Sequence, residues 1–244
     1  MAGFRKKYTD DTTPKEFATS FSKIKNYETC ARRYYTVDIL KKVTESSAAL
    51  DRGNKLHDAM KQRVQSDKEL PREFAYMERW AVPLVEVLHP LQIIQCELQL
   101  ACTRDMKSCG YWEKIVFMRT KIDYLRLIPG NRAGTFLCQI IDYKTGKPKD
   151  EDLQLAINAC IVLAHFPDVI GVKSDFLYTE YGDTRSFTYT RSSAPLIWKN
   201  DIVPRVNKME EAHATENFPP NPCGLCREYC PVASCEYYGK GKPR

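Results

Sequence analysis

The segment Gln139-Ile140-Ile141-Asp142-Tyr143-Lys144-Thr145-Gly146 constrains this chain more than any other. A short apolar run that ends at a turn signal reads as a buried strand. This one closes on an acid, a lysine two residues later and a glycine turn. Strand side chains alternate, so Asp142 and Lys144 point to the same side. A carboxylate and an ammonium held together can serve a divalent cation and a water nucleophile.

The neighbouring sequence supplies partners for that strand. Residues 91–102, 114–128 and 135–143 have strand texture, with Pro129-Gly130-Asn131 as a turn, and predict an antiparallel meander. Asp123, on the middle strand, can then face Asp142. Helical spacing resumes over 150–166 through Leu153, Ile157, Ile161 and Ala164, a hairpin is expected from 175–181 to 185–190 around Gly182-Asp183, and a last helix over 195–214. Ahead of the meander, Ser20 or Ser22 can cap a helix carrying Ile24, Tyr27, Ala31 and Tyr34, with Arg32, Arg33, Lys41 and Lys42 towards its far end. A second helix spans 48–65, where His57 follows Gly53 by one turn and the glycine permits close approach. Residues 72–88 read as helical, ended or kinked by Pro83.

A chain of 244 residues, 43% apolar, can bury one core. One domain over 1–244 is expected: N-terminal helices at 15–70, a catalytic core at 90–215 and a metal-binding tail at 216–244. No run approaches the roughly 18 apolar residues of a membrane span, and residues 1–14 lack the apolar centre of a secretory signal. A cytoplasmic protein with no membrane partner is expected. The net charge of +6 favours a polyanionic partner weakly. Of ten cysteines, Cys223, Cys226, Cys230 and Cys235 crowd behind the stiff segment Phe218-Pro219-Pro220-Asn221-Pro222. In a reducing compartment such crowding points to metal, and four thiolates suffice for zinc. Cys96, Cys102, Cys109, Cys138 and Cys160 are scattered and read as small buried residues.

Phosphodiester hydrolysis requires a deprotonated water and neutralised phosphoryl oxygens, and carboxylate-bound hard cations provide both. Taken singly, the candidate residues say little. An isolated Asp-x-Lys is ordinarily an exposed ion pair, His57 an ordinary helix histidine, and Glu97 a solvated strand carboxylate. The information lies in their order: Gly53-x-x-x-His57 on a helix, Asp123 on a strand, Asp142-x-Lys144-Thr-Gly on the next, and Gln154 on the following helix.

This order resembles the RecB-like branch of the PD-(D/E)XK nuclease superfamily, which includes CRISPR-associated exonucleases and the nuclease domains of bacterial recombination helicases. The resemblance implies a restriction-endonuclease-like three-layer α/β/α fold, with a central mixed sheet and the active site at its edge. It implies that His57, Asp123, Asp142 and the backbone carbonyl of Tyr143 bind Mg2+ or Mn2+. Lys144 is then the catalytic lysine, and Gln154 positions it or a phosphate. Two positions depart from the pattern: Asn158 stands where the branch has a tyrosine, and Ile122 precedes Asp123 where it has proline. Members with iron–sulfur clusters carry one cysteine near the start and three in the tail. Tyr27-Glu-Thr-Cys30-Ala-Arg32-Arg33-Tyr34 matches the first, and Cys226, Cys230 and Cys235 match the rest, which implies a [4Fe-4S] cluster and leaves Cys223 spare. A structural Zn2+ site with Cys223 in place of Cys30 stays open. Joining Cys30 to the tail closes a loop of roughly 200 residues, a cross-link expected to contribute several kcal/mol.

No nucleotide-binding phosphate loop is present, so ATP-independent action is expected. The resemblance implies a DNA exonuclease acting on single-stranded or end-processed DNA in recombination, repair or phage DNA metabolism, with Arg32, Arg33, Lys147 and Lys149 on the phosphates. A second reading is a non-catalytic DNA-binding module with a zinc or iron–sulfur knot. A third, a small electron-transfer protein, has no use for the acids of the meander.

Overall fold

A computed structural model of the chain describes residues 16–43, 48–149 and 152–240. The expected leaderless segment at 1–14 and the start of the helix at 150 lie outside the described residues. The strands are β1 (Thr19–Ser20), β2 (Ile93–Cys102), β3 (Ser108–Cys109), β4 (Met118–Pro129), β5 (Phe136–Lys144), β6 (Val169–Tyr178) and β7 (Asp183–Thr190); the two-residue β1 and β3 were not expected from the sequence. They make one seven-stranded sheet in the order β3-β2-β4-β5-β6-β7, with β1 beside β4. The expected meander is present: β2 and β5 both run antiparallel to β4. β6 joins β5 in parallel, and α5 (Leu153–His165) makes the crossover such a pair needs. Gly182, at φ +65, turns β6 into β7.

Helices cover both faces. α5 packs on one with α1 (Phe21–Thr29), α6 (Ala194–Ile197) and α7 (Val203–Ala214), in a core that includes Ile24, Ile122, Ile140, Ile157 and Val206. The other face carries α3 (Ala48–Ser66) and α4 (Glu78–Val85), packed through Leu56, Met60, Ala81 and Leu84 against Cys96, Tyr124, Ile141 and Tyr143. The layers are therefore α/β/α, as expected. Among the described residues no helix is long and apolar enough to cross a membrane.

Three helices differ from their sequence reading. The first does not run through to Tyr34. It stops at Cys30, whose backbone is extended, and restarts as α2 (Ala31–Tyr34), which passes into a π turn at Tyr35–Ile39. The last is divided by a π turn, Trp198–Ile202, just ahead of Pro204, which has no amide to bond back into the preceding turn. Pro83 stays inside α4, which ends two residues later, after a 3-10 turn at Arg72–Met77.

The sheet also departs from simple alternation. Ile94 and Cys96 face α3 and α4, whereas Leu98 and Leu100 face α5; opposite them Tyr124 faces α3 while Ile122 faces α5. Residues two apart should share a face. The two strands exchange faces together between Cys96↔Tyr124 and Leu98↔Ile122, where Glu97 takes the left-handed φ of +58. Glu97 and Asp123 lie at this switch.

Candidate active site

The β4–β5 ladder ends at Tyr124↔Ile141. Beyond it β5 continues along β6 to Lys144↔Tyr178, and β4 continues along β2, so a fork opens between the central strands. β1 fills the edge of β4 that β5 has left, pairing with Met118 and Arg119. The site therefore lies in a mid-sheet fork and not at the sheet's edge. A fork leaves strand amides without ladder partners, and such groups need others. The amide of Tyr143 finds one in Asp123, donating to Oδ2 at 3.1 Å.

α3 brings His57 over the fork, with Nδ1 3.2 Å from Asp123 Oδ1 and its ring edge-on to Tyr143 at 5.8 Å. His57, Glu97 and Asp123 each place a ligand atom within 4.8 Å of the others, and no other such group of three occurs among the described residues. Glu97 is thus no solvated strand carboxylate. It is mostly covered, paired with Lys121, and its signal is a left-handed backbone that the sequence does not display. Gly53 also differs from expectation: a Cβ there would meet nothing within 4 Å, so nothing among the described residues requires its smallness.

Asp142 and Lys144 do share a side, that of α5. Lys144 Nζ lies 2.6 Å from Asp142 Oδ2 and donates to Gln154 Oε1 at 2.8 Å, while Gln154 Nε2 donates to Asp142 Oδ1. Oδ2 itself receives no well-directed hydrogen bond. Asp142 stands outside the His57–Glu97–Asp123 trio but feels its charges. Burial pushes its carboxyl up to about 6, the Asp123 charge adds to this, and Lys144 and His57 oppose it. His57 is partly buried, which disfavours its charged form, yet Asp123, Asp142 and Glu97 raise its pKa overall. Carboxylates gathered beneath too little positive charge are what a hard divalent cation relieves. Asn158 faces inward, buried, and accepts the hydroxyl of Thr120.

The cysteine cluster of the tail meets the N-terminal helices. Cys30, Cys226, Cys230 and Cys235 line one small cavity with Arg32 and Arg33, and Cys223 is not among its lining residues. Asn221 N–H donates to Cys30 Sγ at 3.3 Å and Cys223 N–H to Cys226 Sγ at 3.4 Å. Burial raises the Cys230 thiol, the neighbouring Cys226 and Cys30 add to this, and a Val232 backbone hydrogen bond and Arg33 lower it. Arg32 Nε donates to Phe218 O at 3.1 Å and Arg33 Nη1 to Asn26 Oδ1 at 2.7 Å, so both arginines brace this junction. Lys147 and Lys149 lie elsewhere, in a cleft beside Lys144.

A family model described as the PD-(D/E)XK nuclease superfamily matches residues 18–235. Among solved structures, the chain is similar to a crystal structure of a "Putative exonuclease" from Eubacterium rectale, at 15% identity over 92% of this chain and 90% of that one, with a TM-score of 0.44. No curated protein matches the chain.

Proposed function

The chain belongs to the PD-(D/E)XK nuclease superfamily, and from that premise we propose that it is a Mg2+- or Mn2+-dependent DNA exonuclease of the RecB-like type. The observation that carries this reading is the fork, where His57, Glu97, Asp123, Asp142, Lys144 and Gln154 converge from two helices and three strands. The donor set of one imidazole and three carboxylates fits a divalent cation. His57, Glu97, Asp123, Asp142 and the Tyr143 carbonyl hold it. Bound there, the cation neutralises phosphoryl oxygens and lowers the pKa of water.

The protein's own groups do the rest. Asp123 is fixed by the Tyr143 amide and His57, so its carboxylate is positioned before any substrate arrives. Lys144 is held between Asp142 and Gln154, with its ammonium beside the acid. From there it orients the attacking water and stabilises charge that grows on it. Gln154 bridges the two and keeps both rotamers in place.

Cys226, Cys230 and Cys235, with Cys30, hold a [4Fe-4S] cluster in this reading. Support comes from the cavity, which includes Cys30 and omits Cys223. The sulfurs also stand apart: among the described residues no three lie within 4.8 Å of one another. Around a tetrahedral zinc, with bonds of about 2.3 Å, sulfurs sit roughly 3.8 Å apart. Action on single-stranded or end-processed DNA in the cytoplasm, in recombination, repair or phage DNA metabolism, follows from the branch the chain resembles.

The test uses end-labelled linear DNA and closed circular DNA, each with manganese or with chelator. Degradation of the linear substrate from its ends, with manganese alone, is expected. Equal cutting of circles would replace the exonuclease with an endonuclease, and binding without turnover would leave the non-catalytic module.

A further inference from the structure

We infer that the cleft between α1 and β6, next to Lys144, seats an unstacked nucleotide of single-stranded DNA; this rests on the nuclease reading and adds where the strand lies. The cleft, of about 170 Å3, is lined by Phe21, Phe176 and Tyr178, by Lys25, Lys147 and Lys149, and at its inner end by Lys144 and Gln154. Its position follows from the fork. β1 pairs with the vacated edge of β4 and α1 begins at the next residue, so Phe21 is carried to the mouth of the opening. The lysines come from separate segments, α1 and the loop after β5, and lie to either side as a polyanionic backbone passing between them requires.

The aromatic residues have distinct duties. Phe176 lies beneath the Lys144 ammonium, 5.1 Å from its ring centre, and the Tyr178 hydroxyl accepts the Lys149 amide at 3.1 Å; both are buried and shape the cleft. Phe21 is partly buried against the core, and Lys25 Nζ stands over its ring, 5.4 Å from the centre, where a stacking base would take the place of that ammonium. The space beside Gly146 is open, since a Cβ there would meet nothing within 4 Å. A base within a duplex has both faces covered by its neighbours and cannot stack on Phe21, whereas a base in a single strand can. The link from the cleft through Lys144 to Asp142 sets the phosphate of the seated nucleotide at the reacting centre.

The experiment is an abasic walk. Wild-type protein, with calcium in place of manganese, is titrated into fluorescent oligothymidylates that each lack one base at successive positions. One position should weaken binding about tenfold, the loss expected for one base–aromatic stack. Phe21→Ala should bind the intact oligonucleotide about tenfold more weakly and lose that positional dependence, Phe21→Tyr should restore both, and affinity for blunt duplex should not change. A flat walk with wild-type protein overturns the inference, and so does a dependence that persists in Phe21→Ala. Because the walk needs no variant, misfolding of Phe21→Ala cannot obscure the answer. If wild-type protein with manganese cleaves these oligonucleotides yet gives a flat walk, the cleft assignment alone falls; if it cleaves no DNA, the nuclease reading falls with it.

Discussion

At the scale of single residues, Glu97 shows how the site is made and why part of it was hidden. Its φ of +58 lies where a side chain other than glycine costs roughly 1–2 kcal/mol, and strain of this kind gathers at functional sites. In exchange its carboxylate reaches the group formed with His57 and Asp123. Asp142 and Lys144 were legible because alternation along one strand fixes their common side. Asp123 was legible from the meander, whereas Glu97 required knowing that two strands exchange faces, which no residue type encodes. Glu97→Gly should therefore stabilise the metal-free protein by about 1 kcal/mol in urea unfolding and lower manganese-dependent cleavage at least tenfold. Lower stability would show that the left-handed backbone is not strained, and unchanged cleavage would remove Glu97 from the metal site.

At the scale of elements, the interruption after α1 ties the two ends of the chain together. Helical spacing from Ile24 to Tyr34 predicted one helix, but extended backbone at Cys30 separates α1 from α2 and lets its sulfur meet the tail. Asn221 Nδ2 donates to Thr29 O at 3.0 Å and Arg32 N–H to Pro219 O at 3.3 Å, so the junction also fills the backbone groups the break exposes. Local propensity does not mark this break, because its partners lie almost 200 residues away. α1 thus has one end at the cysteine cavity and the other at the cleft. Cys30→Ala should bleach anaerobically purified brown protein, lower Tm by several degrees and weaken single-strand binding through movement of α1. Full colour and metal content in Cys30→Ala, with loss in Cys223→Ala, would instead establish the tail-only zinc site.

At the scale of the whole molecule, most strands and helices were readable from hydrophobic periodicity, whereas the layer order came with the family resemblance, from the order of a few polar residues. The fork was readable from neither. It depends on where β5 leaves β4 and on β1 filling the gap, a long-range pairing of two residues with no pattern of their own. In the proposed nuclease that fork is what makes room for a reaction centre within a buried sheet, by freeing the Tyr143 amide and bringing acids from neighbouring strands together. The most direct test of this account is single-turnover cleavage of linear DNA at saturating manganese by wild-type, Asp142→Asn, Lys144→Ala and the double variant, with DNA affinity measured alongside. Both single variants should bind DNA close to wild-type and cleave on the order of 100-fold more slowly or worse, and the double variant should lose little more, since groups serving one water act as a unit. Wild-type cleavage rates in either single variant would contradict the account.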